Sequence, residues 1–231
     1  MGAMERVRLR IDYVIYTGLS IVVAAIIAVY LIAGFQGRVE VKNFIISRAF
    51  SLDPARAVAA FLLPITAMFL AIIFTARFLL RTSNSLGTML RLRYFYIFGL
   101  MSCFGMIGVS AIALSTDRIG HNICAALLFF SGVIAMFLAT AEDYYVVYAG
   151  WSPIVLFRAS LCMVAVVAVV AANVGFLVNF FMASIAEVIL AGMLFIFVGS
   201  FLKEFRGKSI TIHLDSMGGR NEASMRGAVM I

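Results

Sequence analysis

Residues 155–202 read VLFRASLCMVAVVAVVAANVGFLVNFFMASIAEVILAGMLFIFVGSFL, and only Arg158 and Glu187 in this stretch are charged. A helix needs about 20 apolar residues to cross the hydrocarbon layer of a bilayer. The stretch holds two such runs, 155–178 and 182–202, with a turn near Asn179. The alternating pattern of a membrane β-barrel is absent, so both runs read as helices. Working outward, four more runs qualify, at 11–34, 57–80, 94–114 and 122–141; only STDRIGH separates the third from the fourth. The fold class is an all-α integral membrane protein, a six-helix transmembrane bundle.

Composition agrees. Of 231 residues, 64% are apolar and 13% are charged, against about 45–50% and about 25% in soluble domains. The mean hydropathy is +1.09. So little polar material cannot cover a soluble surface, which excludes a soluble enzyme and a disordered chain. The net charge of +7 does not make a nucleic-acid-binding module, because the basic residues sit at the ends of apolar runs. The first run follows Arg6, Arg8 and Arg10. It is longer than the roughly 7–15 residues of a signal-peptide core, so it reads as a retained span. Met1-Gly2 begins like a myristoylation site, but Arg6 stands where Ser or Thr is needed. No N-glycosylation sequon occurs. Cys103, Cys124 and Cys162 each lie inside an apolar run, so no disulfide, metal site or cofactor is expected.

Six spans place both termini on one side. Thirteen of the eighteen Lys and Arg residues fall on the terminal side of the spans, so the positive-inside rule puts both termini in the cytosol. The organisation is a cytosolic N-terminus (1–10), a membrane domain (11–202), and a flexible cytosolic tail (203–231). The loop from Phe35 to Arg56 is the largest feature on the outer side. Pro64 is expected to kink the second span. In the fifth span, Ala165, Ala168, Ala172 and Gly175 share one helix face, where a neighbouring helix can approach closely. That neighbour is a span of the same bundle, or else a second copy or another membrane partner.

Ionisable groups at membrane depth need a partner or a purpose. Glu187 is the clearest, about five residues into the sixth span. His121, Asn122, Asn173, Asn179 and Arg56 sit at the same end of their spans by topology. These six could converge on one polar pocket in the outer leaflet, either locking helices together or holding a lipid headgroup or another small polar ligand. A proton relay is weaker, since no other carboxylate lies deep in a span. Glu142 and Asp143 end the fourth span and are expected to face solvent or to pair with Arg158 or Arg81. No nucleophile–base pair, phosphate loop or zinc spacing appears, so no catalytic or metal-binding residue is assigned.

Residues Tyr96–Thr140, YIFGLMSCFGMIGVSAIALSTDRIGHNICAALLFFSGVIAMFLAT, resemble the central part of the DRAM family, the damage-regulated autophagy modulators, in the wider Frag/DRAM/Sfk superfamily. The resemblance rests on Gly99, Ser102, Cys103 and Gly105, then on His121, Phe129 and Gly132. Tyr30, Gly37, Ser47, Pro54 and Arg56 match around the first loop, and Ala186, Glu187, Lys203, Glu204 and Phe205 match at the last span. Ala55, Ala57, Phe50 and Cys124 depart from the family pattern. The resemblance implies a non-enzymatic, multi-pass protein of lysosomes or related endomembranes that modulates autophagy and has membrane lipids as partners. Neighbouring branches imply two alternatives: remodelling of GPI-anchor lipid in the Golgi or endoplasmic reticulum, or regulation of phospholipid distribution at the plasma membrane. A channel or transporter is disfavoured by the scarcity of Gly/Pro-broken spans.

Overall fold

A computed structural model describes residues 5–36, 53–82, 89–178 and 180–214. Its elements in chain order are β1 (Glu5–Arg10), α1 (Ile11–Phe35), α2 (Ala55–Thr82), α3 (Met89–Ala111), α4 (Arg118–Glu142), α5 (Pro153–Val178), α6 (Phe180–Gly199), α7 (Leu202–Phe205) and β2 (Ser209–Leu214). Six of the helices are long and apolar enough to cross a membrane. At about 1.5 Å per residue they span about 30–42 Å, enough for a hydrocarbon core about 30 Å thick. Pro64 lies inside α2, which continues on both sides of it.

Each helix packs on the next in the chain, and α6 returns to touch both α1 and α4. At most 44% of the central residues of any span are buried. The outward positions stay apolar, Val23, Ile27, Phe61, Met68, Phe104 and Val167 among them. A soluble protein would solvate that surface with charge; here it faces lipid.

Small residues let the backbones approach. A Cβ added at Gly105 would lie 2.7 Å from the Leu128 Cα, so α3 and α4 pack at a distance only glycine allows. Beside it the Ser102 hydroxyl donates to the Leu128 carbonyl at 2.8 Å. The Gly-x-x-Ser-Cys-x-Gly pattern is therefore a helix-packing device. The stripe in α5 is used in the same way: a Cβ at Gly175 would lie 2.6 Å from the Ala183 nitrogen of α6, and Ala165 and Ala168 are buried.

The chain ends meet. Strand β1 pairs with β2 in antiparallel register, Glu5 opposite Leu214 through Arg10 opposite Ser209. The segment expected as the start of a flexible tail is therefore structured as far as Leu214, first as the helical turn of α7 and then as a strand. The physical reason is the alternation of SITIHL, which gives that strand an apolar face and a partner in ERVRLR. The rest of the expected tail, 215–231, lies outside the described residues.

Candidate functional site

Two features occupy the interior, and they share a wall. The first is a cluster of charged side chains at the end of the bundle where the chain termini meet. Arg77 and Arg81, one turn apart on α2, meet Glu142 and Asp143 at the end of α4, Arg158 of α5 and Glu204 of α7. After Glu142 the backbone widens into a π-helical turn, Asp143–Val147. Such turns recur at functional positions, and here both consecutive acids are buried.

The geometry is dense. Arg77 donates to Glu142 Oε2 at 3.1 Å and to Asp143 Oδ1 at 2.9 Å. Arg81 donates to Glu204 Oε2 at 2.7 Å and to Asp143 Oδ1 at 3.3 Å. Arg158 donates to Asp143 Oδ2 and, at 2.8 Å, to the Ser200 hydroxyl. Ser200 in turn donates to the Phe197 carbonyl at 2.6 Å. Arg77, Arg158 and Asp143 are 0% exposed. Three cations balance three anions, so the cluster is neutral as a whole, as burial of charge requires.

Aromatic rings complete it. The Phe201 ring lies between two guanidinium groups, 4.8 Å from the central carbon of Arg77 and 4.8 Å from that of Arg158. Phe95 lies 5.0 Å from Arg77, and Phe197 lies 5.6 Å from Arg158. Desolvated cation–π contacts of this kind are worth about 2 kcal/mol each.

The second feature is an apolar cavity between α1, α2, α3, α4 and α6, partly open to the surface. Val22, Phe74, Met106, Phe129 and Leu194 are among its walls. The two polar side chains lining it are Ser102, already bonded to Leu128, and Glu187. Along α6 it runs from Glu187 to Val198, about 16–17 Å at the helical rise. Its far end is formed by Phe95 and Phe197, the rings that carry Arg77 and Arg158 on their other contacts.

The six residues expected to converge on a pocket are distributed as follows. Glu187 is half-buried in the cavity wall and is engaged in a polar or electrostatic interaction. His121 is buried, but its Nδ1 pairs with the Ile112 carbonyl at 2.7 Å, tying the end of α3 to the start of α4. Asn122 is exposed. Asn173 is also exposed and donates to its own helix at the Val169 carbonyl, 2.7 Å away. Arg56 is half-buried in the first turn of α2. Asn179 lies outside the described residues. Of the five that are described, Glu187 alone lines the cavity.

Glu142 and Asp143 do pair with Arg81 and Arg158, but in the interior rather than in solvent. Sequence reasoning missed the parts played by Arg77, Glu204 and Phe201. The available signal was the four-residue spacing of Arg77 and Arg81, which puts both on one helical face.

The chain matches the family model described as the Frag1/DRAM/Sfk1/Cwh43P N-terminal domain over residues 11–208. It belongs to that family. No curated protein and no solved structure matches it.

Proposed function

We propose, from the chain's membership of the Frag1/DRAM/Sfk1/Cwh43P family, that it is an endomembrane lipid-binding protein that modulates autophagy. A lipid acyl chain enters the cavity, and the polar end of that lipid lies at Glu187. One observation carries the reading. The cavity is walled by apolar side chains along its length and has a single ionisable residue, Glu187, on its lining. An apolar space that follows α6 for three turns and has one carboxylate on its lining suits an amphiphile better than an ion or a sugar. Autophagy and the lysosome come from the likeness to DRAM proteins in the third, fourth and sixth spans. The protein acts by binding rather than by catalysis.

The shared wall suggests how occupancy is read. A chain reaching the far end of the cavity touches Phe95 and Phe197, and those rings support Arg77 and Arg158. The ion cluster joins α2, α4, α5 and α7, so displacement of the rings is felt where the chain ends meet.

The test uses cells lacking the protein, complemented with wild type or with Ala191→Phe, which fills the cavity from α6. Tagged wild type is expected on lysosomes and is expected to restore autophagic flux; the filled variant, at equal abundance, is expected not to. Full restoration by Ala191→Phe overturns the reading. A second reading follows from the breadth of the family, which spans Frag1, Sfk1 and Cwh43P as well as DRAM: the same cavity serves GPI-anchor remodelling or phospholipid distribution. Altered surface GPI proteins or headgroup exposure with unaltered flux would select it.

A further inference from the structure

We infer that the ribbon of β1 and β2 is a binding surface for anionic phospholipid headgroups in the leaflet where the two chain ends meet. The register decides the faces. In an antiparallel pair, residues directly opposite share a face and successive residues alternate between faces. Arg6, Arg8 and Arg10 stand opposite His213, Thr211 and Ser209, so these six positions form one face. Val7 and Leu9, opposite Ile212 and Ile210, belong to the other. Ile210 fixes the orientation, because it packs against the buried core. The face that carries Ile210 is the one on the bundle, with Leu9 at its exposed margin, and the three arginine positions belong to the opposite face.

The ribbon lies close to the membrane. Arg10 directly precedes α1, and the Ile11 amide bonds the Lys208 carbonyl at 3.4 Å. Lys203, Arg206 and Lys208, on the connection from α6 to β2, are exposed beside it. Among the described residues, the nearby acids are already committed. Glu142, Asp143 and Glu204 belong to the interior cluster, Asp12 is bound bidentately by Arg10, and Glu5 belongs to the other face. Lys203, Arg206 and Lys208 are therefore exposed positive charges that no described acid neutralises, beside the further basic positions Arg6 and Arg8 of the ribbon. Clusters of four to eight basic residues next to a span attract anionic lipid, and guanidinium groups bind phosphate oxygens in a bidentate fork. Successive arginine positions on one face of a strand are about 6.8 Å apart, which sets the three positions in a row along that face.

Trp151 is the single tryptophan and is exposed, in the connection between α4 and α5 at the ribbon's end of the bundle. It is a built-in energy donor. Full-length protein is reconstituted in phosphatidylcholine vesicles carrying a few mol% of dansyl-labelled phosphatidylserine or, for comparison, dansyl-labelled phosphatidylcholine. Wild type is expected to transfer more energy to the phosphatidylserine probe. Arg10 is held by Asp12, so the two other charges, at about 1 kcal/mol each, correspond to a change of order 30-fold in binding constant, and R6Q/R8Q/R10Q is expected to fall to the phosphatidylcholine level. R6K/R8K/R10K is expected to keep the preference, as is R91Q/R93Q, which removes charge at the same end but outside the ribbon. About 1 M salt, where the screening length is about 3 Å, is expected to abolish the wild-type preference, a readout that needs no variant to fold. No preference in wild type, retention in the glutamine triple variant, equal loss in R91Q/R93Q, or insensitivity to salt each overturns the inference; the first would leave the face to an acidic protein partner.

Discussion

Arg77 and Asp143 form a fully buried ion pair, 2.9 Å long, between side chains contributed by α2 and by the π-helical turn after α4. Asp143 is the hub of the cluster, because Arg81 and Arg158 also contact it. Removing one partner of a buried pair leaves an uncompensated charge and costs about 3–5 kcal/mol. Asp143→Asn is therefore expected to lower the melting temperature of the purified protein sharply. Asp143→Asn combined with Arg158→Met leaves Arg77 and Arg81 opposite Glu142 and Glu204, in balance again. The double variant is expected to melt above the Asp143→Asn single variant. A double variant no more stable than the single would show that net balance is not what holds the cluster.

Gly105 and Gly192 give a matched pair of substitutions. A Cβ at Gly105 meets the Leu128 backbone, whereas one at Gly192 meets nothing within 4 Å. Gly105→Ala is expected to destabilise by about 1–3 kcal/mol through overpacking. Gly192→Ala, inside α6, is expected to be neutral or to stabilise by up to about 1 kcal/mol through helix propensity. Thermal unfolding of both variants in one detergent checks the contrast.

His121 Nδ1 ties the end of α3 to the start of α4, and the structural part of that contact can be separated from any part in ligand binding. His121→Ala leaves the half-buried Ile112 carbonyl without its 2.7 Å partner and is expected to cost about 1 kcal/mol. The lipid bound per molecule, measured by extraction and mass spectrometry, is expected to stay at the wild-type level. A selective loss of bound lipid without loss of stability would move His121 into the site.

The two chain ends are expected on the cytosolic face. Arg77, Arg81 and Arg158 were counted as basic residues of that side, yet the structure neutralises them internally. Ten of the thirteen remain, against five on the other side, so the positive-inside bias keeps its sign. Tags before Arg6 and after Ile231 in intact vesicles should be equally accessible to protease from the cytosolic side.

The spans were legible because crossing a bilayer imposes a length and a composition that any residue order must obey. Each expected run overlaps an observed helix, with ends shifted by up to five residues, as at Tyr94 against Met89. Glu187 was legible for the same reason: a lone carboxylate in an apolar run stands out. The ion cluster was only partly legible, because its pairs join residues as distant as Arg81 and Glu204, and local patterning carries no such information. The ribbon was missed because two six-residue strands at opposite ends of the chain mean little until both are seen to leave the bundle together. The expected gathering of His121 and Asn173 around Glu187 relied on shared depth alone. Depth does not say which way a side chain faces, and Asn173 faces outward.

The central claim is that an acyl chain lies inside the bundle, and photo-crosslinking tests it most directly. Full-length protein is purified with a phospholipid carrying a photoreactive group along one acyl chain, irradiated, and mapped by peptide mass spectrometry. The account predicts labelling of the cavity-lining Met106, Leu194 and Phe195 that is lost in Ala191→Phe. Labelling confined to outward-facing residues such as Phe104 and Ile196, and unchanged in Ala191→Phe, would contradict it.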